Sequence, residues 1–293
     1  MQNISNKTSA LARLNKNSIS VKDISSQLWC EKQMELFITT GGYSTLAMNK
    51  GAAIHAVMQA PVFKALPIEP ITYPDRLYKW AYETYMGISN IFKNEYCREI
   101  KIYGSLNGFK ITGQVDELRL KDGKVSVVED KTINASNSNV VSLRLDADKL
   151  QISIYKLLLD DIKSGNYTYE NFANSYTIEK LLLSKQFADG LESIGIKKES
   201  QSITSIYKLM FESFKKLPEF SNIIKLRYLD RATNQLVSEI ELTYSKEELK
   251  SRLIDIMEYW SGKRDAKPVS EENKWRCKIC KFFGKECTTW WNK

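Results

Sequence analysis

The sequence contains no apolar run close to the roughly 20 residues that a membrane-spanning helix needs. No apolar signal-peptide core follows Met1, and cysteine is sparse, with five residues in 293. These shortages exclude a protein built on membrane-spanning helices and a disulfide-rich secreted scaffold. We therefore expect an intracellular protein, in the cytoplasm, nucleus or mitochondrion, whose cysteines bind metal rather than form disulfides.

Acidic residues are absent before Asp23, whereas four basic residues precede it. Such a segment is typical of an organelle presequence or of a disordered basic arm, and we interpret residues 1–17 as a flexible basic arm. Neither an internal repeat nor a low-complexity linker divides the remainder. Residues 18–293 therefore predict a single domain.

The composition shows an excess of positive charge, with 43 Lys and Arg against 35 Asp and Glu and a net charge of +8. A basic surface favours polyanions, among which nucleic acid is the commonest partner. A lysine-rich coding bias would give the same balance, so the charge alone does not decide the function.

Helical and strand periodicities occur together, which predicts an α/β fold. Helices are predicted at about 20–40, 46–59, 75–93, 146–165 and 245–262, with mostly helical structure over 168–220. Strands are predicted at about 97–104, 108–119, 124–131, 223–229 and 236–243.

One predicted hairpin contains two carboxylates and a lysine. Asp122-Gly123 between alternating apolar runs predicts a two-residue loop, which places Asp116 directly opposite Glu129. Lys131, two residues further along, emerges on the same face. Two opposed carboxylates repel each other unless a cation lies between them, so the pattern predicts a divalent-metal site.

Divalent metal ions suit phosphodiester hydrolysis, because they neutralise phosphate charge and activate water. Mg²⁺ and Mn²⁺ prefer oxygen ligands, which Asp116, Glu129 and the backbone carbonyl of Asp130 supply. Lys131 can orient the water or balance negative charge in the transition state.

A surface hairpin is the simpler interpretation of such an isolated match. The hairpin face nevertheless also carries two apolar pairs, Leu118 with Val127 and Leu120 with Val125. An otherwise apolar face should not carry opposed carboxylates without a reason.

Three further residues are weaker candidates. His55, the only histidine, can ligate Mn²⁺ or accept a proton, and Gly51 on the same helical face allows close approach of another backbone. Gln151 and Tyr155 are i,i+4 neighbours that can hold a phosphate, a base or the lysine. Taken alone, a single helical histidine is more typical of a core or surface position than of a ligand, and the Gln151–Tyr155 pair is more typical of an ordinary amphipathic helix edge.

The cysteines form a compact C-terminal triplet and two isolated positions. Cys277, Cys280 and Cys287 lie close in sequence, Cys30 lies far upstream, and Cys97 lies in an apolar strand, where we interpret it as a small hydrophobic residue. Four thiolates can hold zinc or a [4Fe–4S] cluster.

Cations and aromatic residues surround the triplet, which suits either single-strand binding or packing on a metal knuckle. They are Lys274, Trp275, Arg276, Lys278, Lys281, Lys285, Trp290 and Trp291.

In their order along the chain, these motifs resemble the PD-(D/E)XK nucleases of RecB type, and within them the exonuclease V family. The resemblance covers about residues 19–290. Its segments are Ile19 to Asp23, Trp29-Cys30-Glu31, Lys50 to His55, Arg98-Glu99, Gly104, Gly113 to Leu118, Glu129 to Thr132, Leu150-Gln151 with Tyr155, Tyr259-Trp260 with Gly262 and Arg264, and Trp275 to Cys287.

The resemblance implies a restriction-endonuclease-like core, a central mixed sheet flanked by helices, with helical elaborations and a C-terminal iron–sulfur knuckle. It implies Mg²⁺ or Mn²⁺ at His55, Asp116 and Glu129, which the Asp130 carbonyl suggested above would complete, with Lys131 as the catalytic lysine supported by Gln151 and Tyr155. It also implies a [4Fe–4S] cluster, held in the region 270–293 plus Cys30. Its ligands would be Cys30, Cys277, Cys280 and Cys287.

The expected function is a metal-dependent exonuclease that degrades single-stranded DNA to short oligonucleotides in DNA repair or genome maintenance. A CRISPR-associated RecB-like nuclease and a non-catalytic DNA-binding iron–sulfur subunit are the alternatives. A single-strand-binding protein or a helicase is a candidate partner, and we expect a monomer that has no membrane association.

Overall fold

The computed structural model describes residues 8–62, 65–136 and 139–289. Within these ranges, six strands form one mixed sheet with helices packed around it, which confirms the predicted α/β architecture. The strands are β1 Ile19–Ser20, β2 Tyr96–Leu106, β3 Phe109–Lys121, β4 Lys124–Ile133, β5 Ile223–Asp230 and β6 Leu236–Thr243. None of the helices in these ranges is both long enough and apolar enough to cross a membrane.

In the described part of the chain, ten α-helices surround the sheet. They are α1 Ala10–Arg13, α2 Val21–Thr39, α3 Leu46–Gln59, α4 Tyr73–Ser89, α5 Ile91–Asn94, α6 Asn139–Ser164, α7 Tyr169–Tyr176, α8 Lys185–Ser193, α9 Ile203–Lys216 and α10 Lys246–Trp260. Short 3₁₀ segments cover Ile178–Lys180, Lys198–Ser200 and Glu271–Ile279.

The start of the chain differs from the predicted arm. Residues 1–7 lie outside the described residues, but Ala10 and Leu14 belong to the hydrophobic core. Arg13 lies 3.8 Å from the Glu35 carboxylate, and Lys16 lies 2.7 Å from that of Asp23. The predicted flexible arm of residues 1–17 is therefore not seen from residue 9 onward, because apolar burial and ion pairs hold this part against the fold.

Strand β3 pairs with three other strands of the sheet, β2 on one edge and β1 and β4 on the other. Antiparallel β2 pairs with it along almost its whole length. The opposite edge pairs with parallel β1 at residues 111–112 and with antiparallel β4 at residues 117–121. Residues 113–116 lie between these two pairings, so this edge of β3 has a gap in the sheet.

The β3–β4 hairpin has the predicted register and loop. Asp122 and Gly123 have φ of 51° and 72°. Positive φ at both loop residues matches the right-handed twist of the strands, and glycine adopts it at little cost. Leu118 pairs with Val127, as predicted.

Helix α6 crosses the sheet beside this gap and packs closely on two glycines. A Cβ atom at Gly104 would lie 2.4 Å from Leu158, and one at Gly113 would lie 2.8 Å from Tyr155. Both positions therefore require glycine or a shift of the helix. The close packing holds Gln151 and Tyr155 of α6 over the gap.

Candidate active site

The candidate site lies where β4 separates from β3. The ladder ends at the pair Glu117–Val128, so Asp116 and Glu129 are the next opposed residues, as predicted. The Asp130 N–H has left the ladder and donates to Asp116 Oδ2 at 2.8 Å. This hydrogen bond fixes the Asp116 carboxylate at the mouth of the gap.

Glu99 is a site residue that sequence reasoning did not select. It stands in the middle of β2, between the pairs Arg98–Glu117 and Ile100–Val115, with φ of 56°. A left-handed backbone is unfavourable for glutamate, and residues held in this way cluster at functional sites. The strand therefore turns Glu99 toward Asp116 at a cost in backbone energy.

His55, Glu99 and Asp116 come together as a candidate metal centre. Their ligand atoms all lie within 4.8 Å of one another. His55 Nδ1 is 3.2 Å from Glu99 Oε1 and 3.5 Å from Asp116 Oδ1. One imidazole nitrogen and two carboxylates form a donor set that suits Mn²⁺ and can hold Mg²⁺.

Glu129 lies beside this group and offers a further oxygen. Its Oε1 accepts hydrogen bonds from Lys131 Nζ at 2.8 Å and from Gln151 Nε2 at 2.6 Å. Its Oε2 is buried, and none of the residues that the structure describes forms a hydrogen bond with it. A buried, unpartnered carboxylate oxygen is costly, and a cation would relieve that cost.

The two opposed carboxylates have strongly shifted pKa values. Burial raises the pKa of Asp116 to about 7, with Glu99 adding to the effect and Lys131 opposing it. Burial and the charge of Asp116 raise the pKa of Glu129 to about 8. The site thus holds more negative charge than its own cations balance, as expected where a metal ion supplies the remaining positive charge.

Lys131 is held at this site by side chains from α6. Its ammonium donates to Gln151 Oε1 at 2.8 Å, and Gln151 Nε2 donates to Tyr155 Oη at 3.0 Å. The structure therefore favours the interpretation in which the Gln151–Tyr155 pair supports the lysine.

Asp148 is a second residue that the sequence did not single out. It is buried one turn before Gln151, with Oδ1 3.8 Å from Lys131 Nζ. Its Oδ2 accepts a hydrogen bond from Tyr228 Oη at 3.1 Å. Asp148 therefore adds negative charge beside the ammonium, although an acidic residue on a helix gives no sequence signal for this role.

The side chain and the backbone of Asp130 lie in different environments. Adjacent residues of a strand point to opposite faces, so its side chain lies on the face away from Glu129 and Lys131. There its oxygens accept hydrogen bonds from Arg98 at 2.7 Å and from Arg227 at 2.7 and 3.0 Å. These bonds lower the pKa of Asp130 against the effect of burial. Its side chain is therefore not available to the metal centre, which leaves its backbone carbonyl, on the strand edge where its N–H donates to Asp116, as the candidate ligand.

His55 comes from α3, which covers the gap with none of its described residues buried. A Cβ at Gly51 would lie 3.0 Å from Thr132 Oγ1. The close approach predicted for Gly51 is therefore made to a threonine side chain rather than to another backbone.

The four predicted cluster ligands line one cavity in the described part of the C-terminal region. Cys30, Cys277, Cys280 and Cys287 surround it, and Cys97 is buried elsewhere in the core. Cys30 interrupts α2, because its φ of −171° and ψ of 116° are extended rather than helical. The predicted unbroken helix is wrong at this residue, and the kink turns Cys30 toward the tail.

Aromatic residues beside the cysteines pack on one another. Trp29 and Trp275 meet edge to face at 5.8 Å, and the Arg276 guanidinium lies 4.3 Å from the Trp29 ring centroid. Arg276 also donates to the carbonyl of Trp29 at 2.9 Å. This arrangement favours the knuckle-packing interpretation for these three residues, while Trp290 and Trp291 lie outside the described residues.

Comparisons with known proteins give matches that cover most of the chain. A family model described as Exonuclease V, a 5′ deoxyribonuclease, matches residues 9–139 and 191–291. An Exonuclease V of Danio rerio is 20% identical over 283 residues, which cover 94% of this chain and 72% of that protein. A match to the crystal structure of SSO0001 covers 92% of this chain and 90% of the SSO0001 chain, with 12% sequence identity and a TM-score of 0.42.

The family match includes His55, Glu99, the β3–β4 hairpin and all four cysteines of the cavity. Gln151 and Tyr155 fall between the matched segments, so their placement beside Lys131 rests on the geometry of α6. Since the matched segments together make up most of the chain, this protein belongs to the exonuclease V family and is an exodeoxyribonuclease.

Proposed function

We propose that the chain is a metal-dependent exonuclease that hydrolyses single-stranded DNA from a 5′ end, in DNA repair or genome maintenance. The observation that carries this proposal is the group of His55, Glu99 and Asp116 directly beside Lys131. The split of β3 from β4 with an acidic residue on each strand also supports a PD-(D/E)XK core. On this proposal residues 18–293 form one nuclease domain.

The proposed metal ligands are His55, Glu99, Asp116 and Glu129, with the Asp130 carbonyl on the same strand edge. A bound Mg²⁺ or Mn²⁺ would neutralise phosphate charge and promote ionisation of water.

Lys131 supplies the fixed positive charge of the site. Its ammonium is held by Glu129 and Gln151 at 2.8 Å each, so it needs little reorganisation when negative charge develops on the phosphate. The negative charges of Glu129, Asp148 and Asp116 raise its pKa although burial opposes them. Lys131 therefore stays cationic, which favours charge stabilisation over proton abstraction.

The substrate assay should use single strands labelled internally and blocked at one end. We expect degradation to short oligonucleotides with Mg²⁺ or Mn²⁺, loss of activity with a chelator, and protection by a blocked 5′ end. Double-stranded DNA of the same sequence should be degraded more slowly. Protection by a blocked 3′ end alone would contradict the proposed polarity, and no metal-dependent cleavage would overturn the function.

The cysteine cavity is the proposed site of a [4Fe–4S] cluster. Cys30, Cys277, Cys280 and Cys287 all line this one cavity, so their thiolates could share a single bound cofactor. Four cysteine ligands suit a [4Fe–4S] cluster, and the same ligand set can also hold zinc.

Iron content and colour test the cluster. Anaerobically purified protein should be brown and contain about four iron atoms per chain, and Cys30→Ala should lose both because one of the four ligands is missing. The matched control is Cys97→Ala, since Cys97 is 2% exposed in the core and should leave the iron content unchanged. Colourless protein with stoichiometric zinc would refute the cluster.

A further inference from the structure

A second cavity lies next to the candidate metal centre. Trp80 of α4, Glu99 and Lys101 of β2, and Gln114 of β3 are among the residues that line it. Glu99 faces both the cavity and the metal centre, so the two sites share a wall. Anything bound in the cavity therefore lies beside the group that reacts at the metal.

Lys101 brings a positive charge to this cavity. Its ammonium lies 4.9 Å from the centroid of the Trp80 ring. Glu99 and Glu83 attract it through space, but among the described residues no acceptor forms a hydrogen bond with it. A lysine ammonium has three donors, which an anion bound in the cavity could engage.

The other charges around the cavity are already engaged. Arg98 is bound to Glu117 and Asp130 at 2.6 and 2.7 Å. Glu83 accepts a hydrogen bond from the Leu66 N–H at 3.3 Å. Glu99 accepts from Gln114 and contacts His55. An anionic ligand entering the cavity would therefore meet Lys101 as the available cation in the described structure.

We propose that this cavity binds the DNA phosphate next to the one undergoing hydrolysis, with Lys101 as its cationic contact and Trp80 holding the ammonium in place. The inference rests on the proposed function, because it takes the substrate to be a single strand whose reacting phosphate lies at the metal centre. Successive phosphates of one strand are neighbours, and the shared Glu99 wall places the two sites side by side. Lys101 would thereby set the register of the strand in the site.

The test combines a protein variant with a neutral phosphate. Binding is measured by fluorescence anisotropy of labelled oligonucleotides in the Lys131→Met background with Mg²⁺, so that cleavage does not interfere. Each oligonucleotide carries one uncharged methylphosphonate linkage, and the linkage is moved along the strand. Chains with Lys101 should lose affinity by about ten-fold at one position. The further change Lys101→Met should weaken binding similarly and abolish the sensitivity at that position.

Salt dependence provides a second readout that a folding defect would not imitate. Loss of one phosphate contact in a single strand should reduce the slope of log Kd against log salt by about 0.7. Lys101→Arg should retain the slope. The matched control is Lys110→Met, which removes another β-strand lysine that lies 5.2 Å from an aromatic ring, that of Tyr176, outside this cavity.

The outcomes separate the two proposals. If the Lys101 protein shows a methylphosphonate effect at one position and Lys101→Met does not, the phosphate site is supported. If Lys101→Met binds with unchanged affinity, salt slope and positional sensitivity, this inference is overturned while the proposed function stands. If chains with an intact site neither bind nor degrade single strands, the proposed function fails, and this inference fails with it.

Discussion

Asp116→Asn and Lys131→Met should each reduce degradation of end-labelled single-stranded DNA by about a thousand-fold or more. The first change removes a buried carboxylate of the metal centre, and the second removes the ammonium that balances charge at the phosphate. Lys121→Met is the matched control, because Lys121 belongs to the same hairpin but is exposed beside its loop. The control should retain full activity.

Metal binding distinguishes the two variants. Titration calorimetry with Mn²⁺ should show a large loss of affinity in Asp116→Asn, whereas Lys131→Met should still bind the ion. Asp116→Asn should also keep its fold, since Asp116 Oδ2 accepts the Asp130 N–H and an amide oxygen can do the same. Full nuclease activity in either variant would contradict the assigned active site. If Asp116→Asn loses its fold together with its activity, the Lys131→Met result alone decides whether the assignment holds.

Removing the Asp116 charge should even stabilise the metal-free protein. Asp116 and Glu129 are buried opposite each other, and their raised pKa values show that the folded state disfavours both charges. Catalytic groups are commonly held at such a cost to stability. Thermal unfolding with a chelator should therefore give a Tm for Asp116→Asn that is at or above that of the unchanged chain.

The hairpin could be predicted from the sequence because its determinants are local. Asp122-Gly123 fixes the loop, the loop fixes the register, and the register places Asp116 opposite Glu129. The partners of Lys131 on α6 follow less directly, since an i,i+4 pair such as Gln151 and Tyr155 has no single meaning before the helix is docked.

Glu99 and the Cys30 kink could not be predicted, because tertiary contacts impose their backbone conformations. A β-strand pattern gives no sign that Glu99 has a left-handed backbone. Helix periodicity likewise runs through Cys30, although the cavity it shares with the C-terminal cysteines requires an extended residue there. Local sequence preference therefore mispredicts the backbone at Glu99 and at Cys30, and each of these residues lines a candidate binding site, as expected for functional positions.

The face of the sheet behind the metal centre carries a buried ion-pair network. Arg98 and Arg227 both bind Glu117 and Asp130, with contacts between 2.6 and 2.8 Å in the closest pairs. Glu117 and Asp130 are at most 2% exposed. The arginines lower the pKa of both carboxyl groups against the effect of burial. These ion pairs tie β2, β3, β4 and β5 together directly beneath Asp116 and Glu129.

Arg98→Met should therefore destabilise the protein by about 3–5 kcal/mol, because it leaves buried carboxylates without one of their two shared cations. Urea unfolding followed by circular dichroism measures the change. Arg119→Met is the matched control, since Arg119 also binds Glu117 at 2.7 Å but is 42% exposed. An exposed pair contributes about 0.2–1 kcal/mol, so the control should lose much less stability.

The double variant in which Arg98 and Glu117 are both replaced tests whether the instability of Arg98→Met comes from the buried carboxylate that it leaves without its cation. Arg98→Met combined with Glu117→Gln should recover part of the lost stability, because the second change removes one stranded carboxylate while Arg227 still balances Asp130. Equal losses in Arg98→Met and Arg119→Met, or no recovery in the double variant, would show that the network is not what holds this face together.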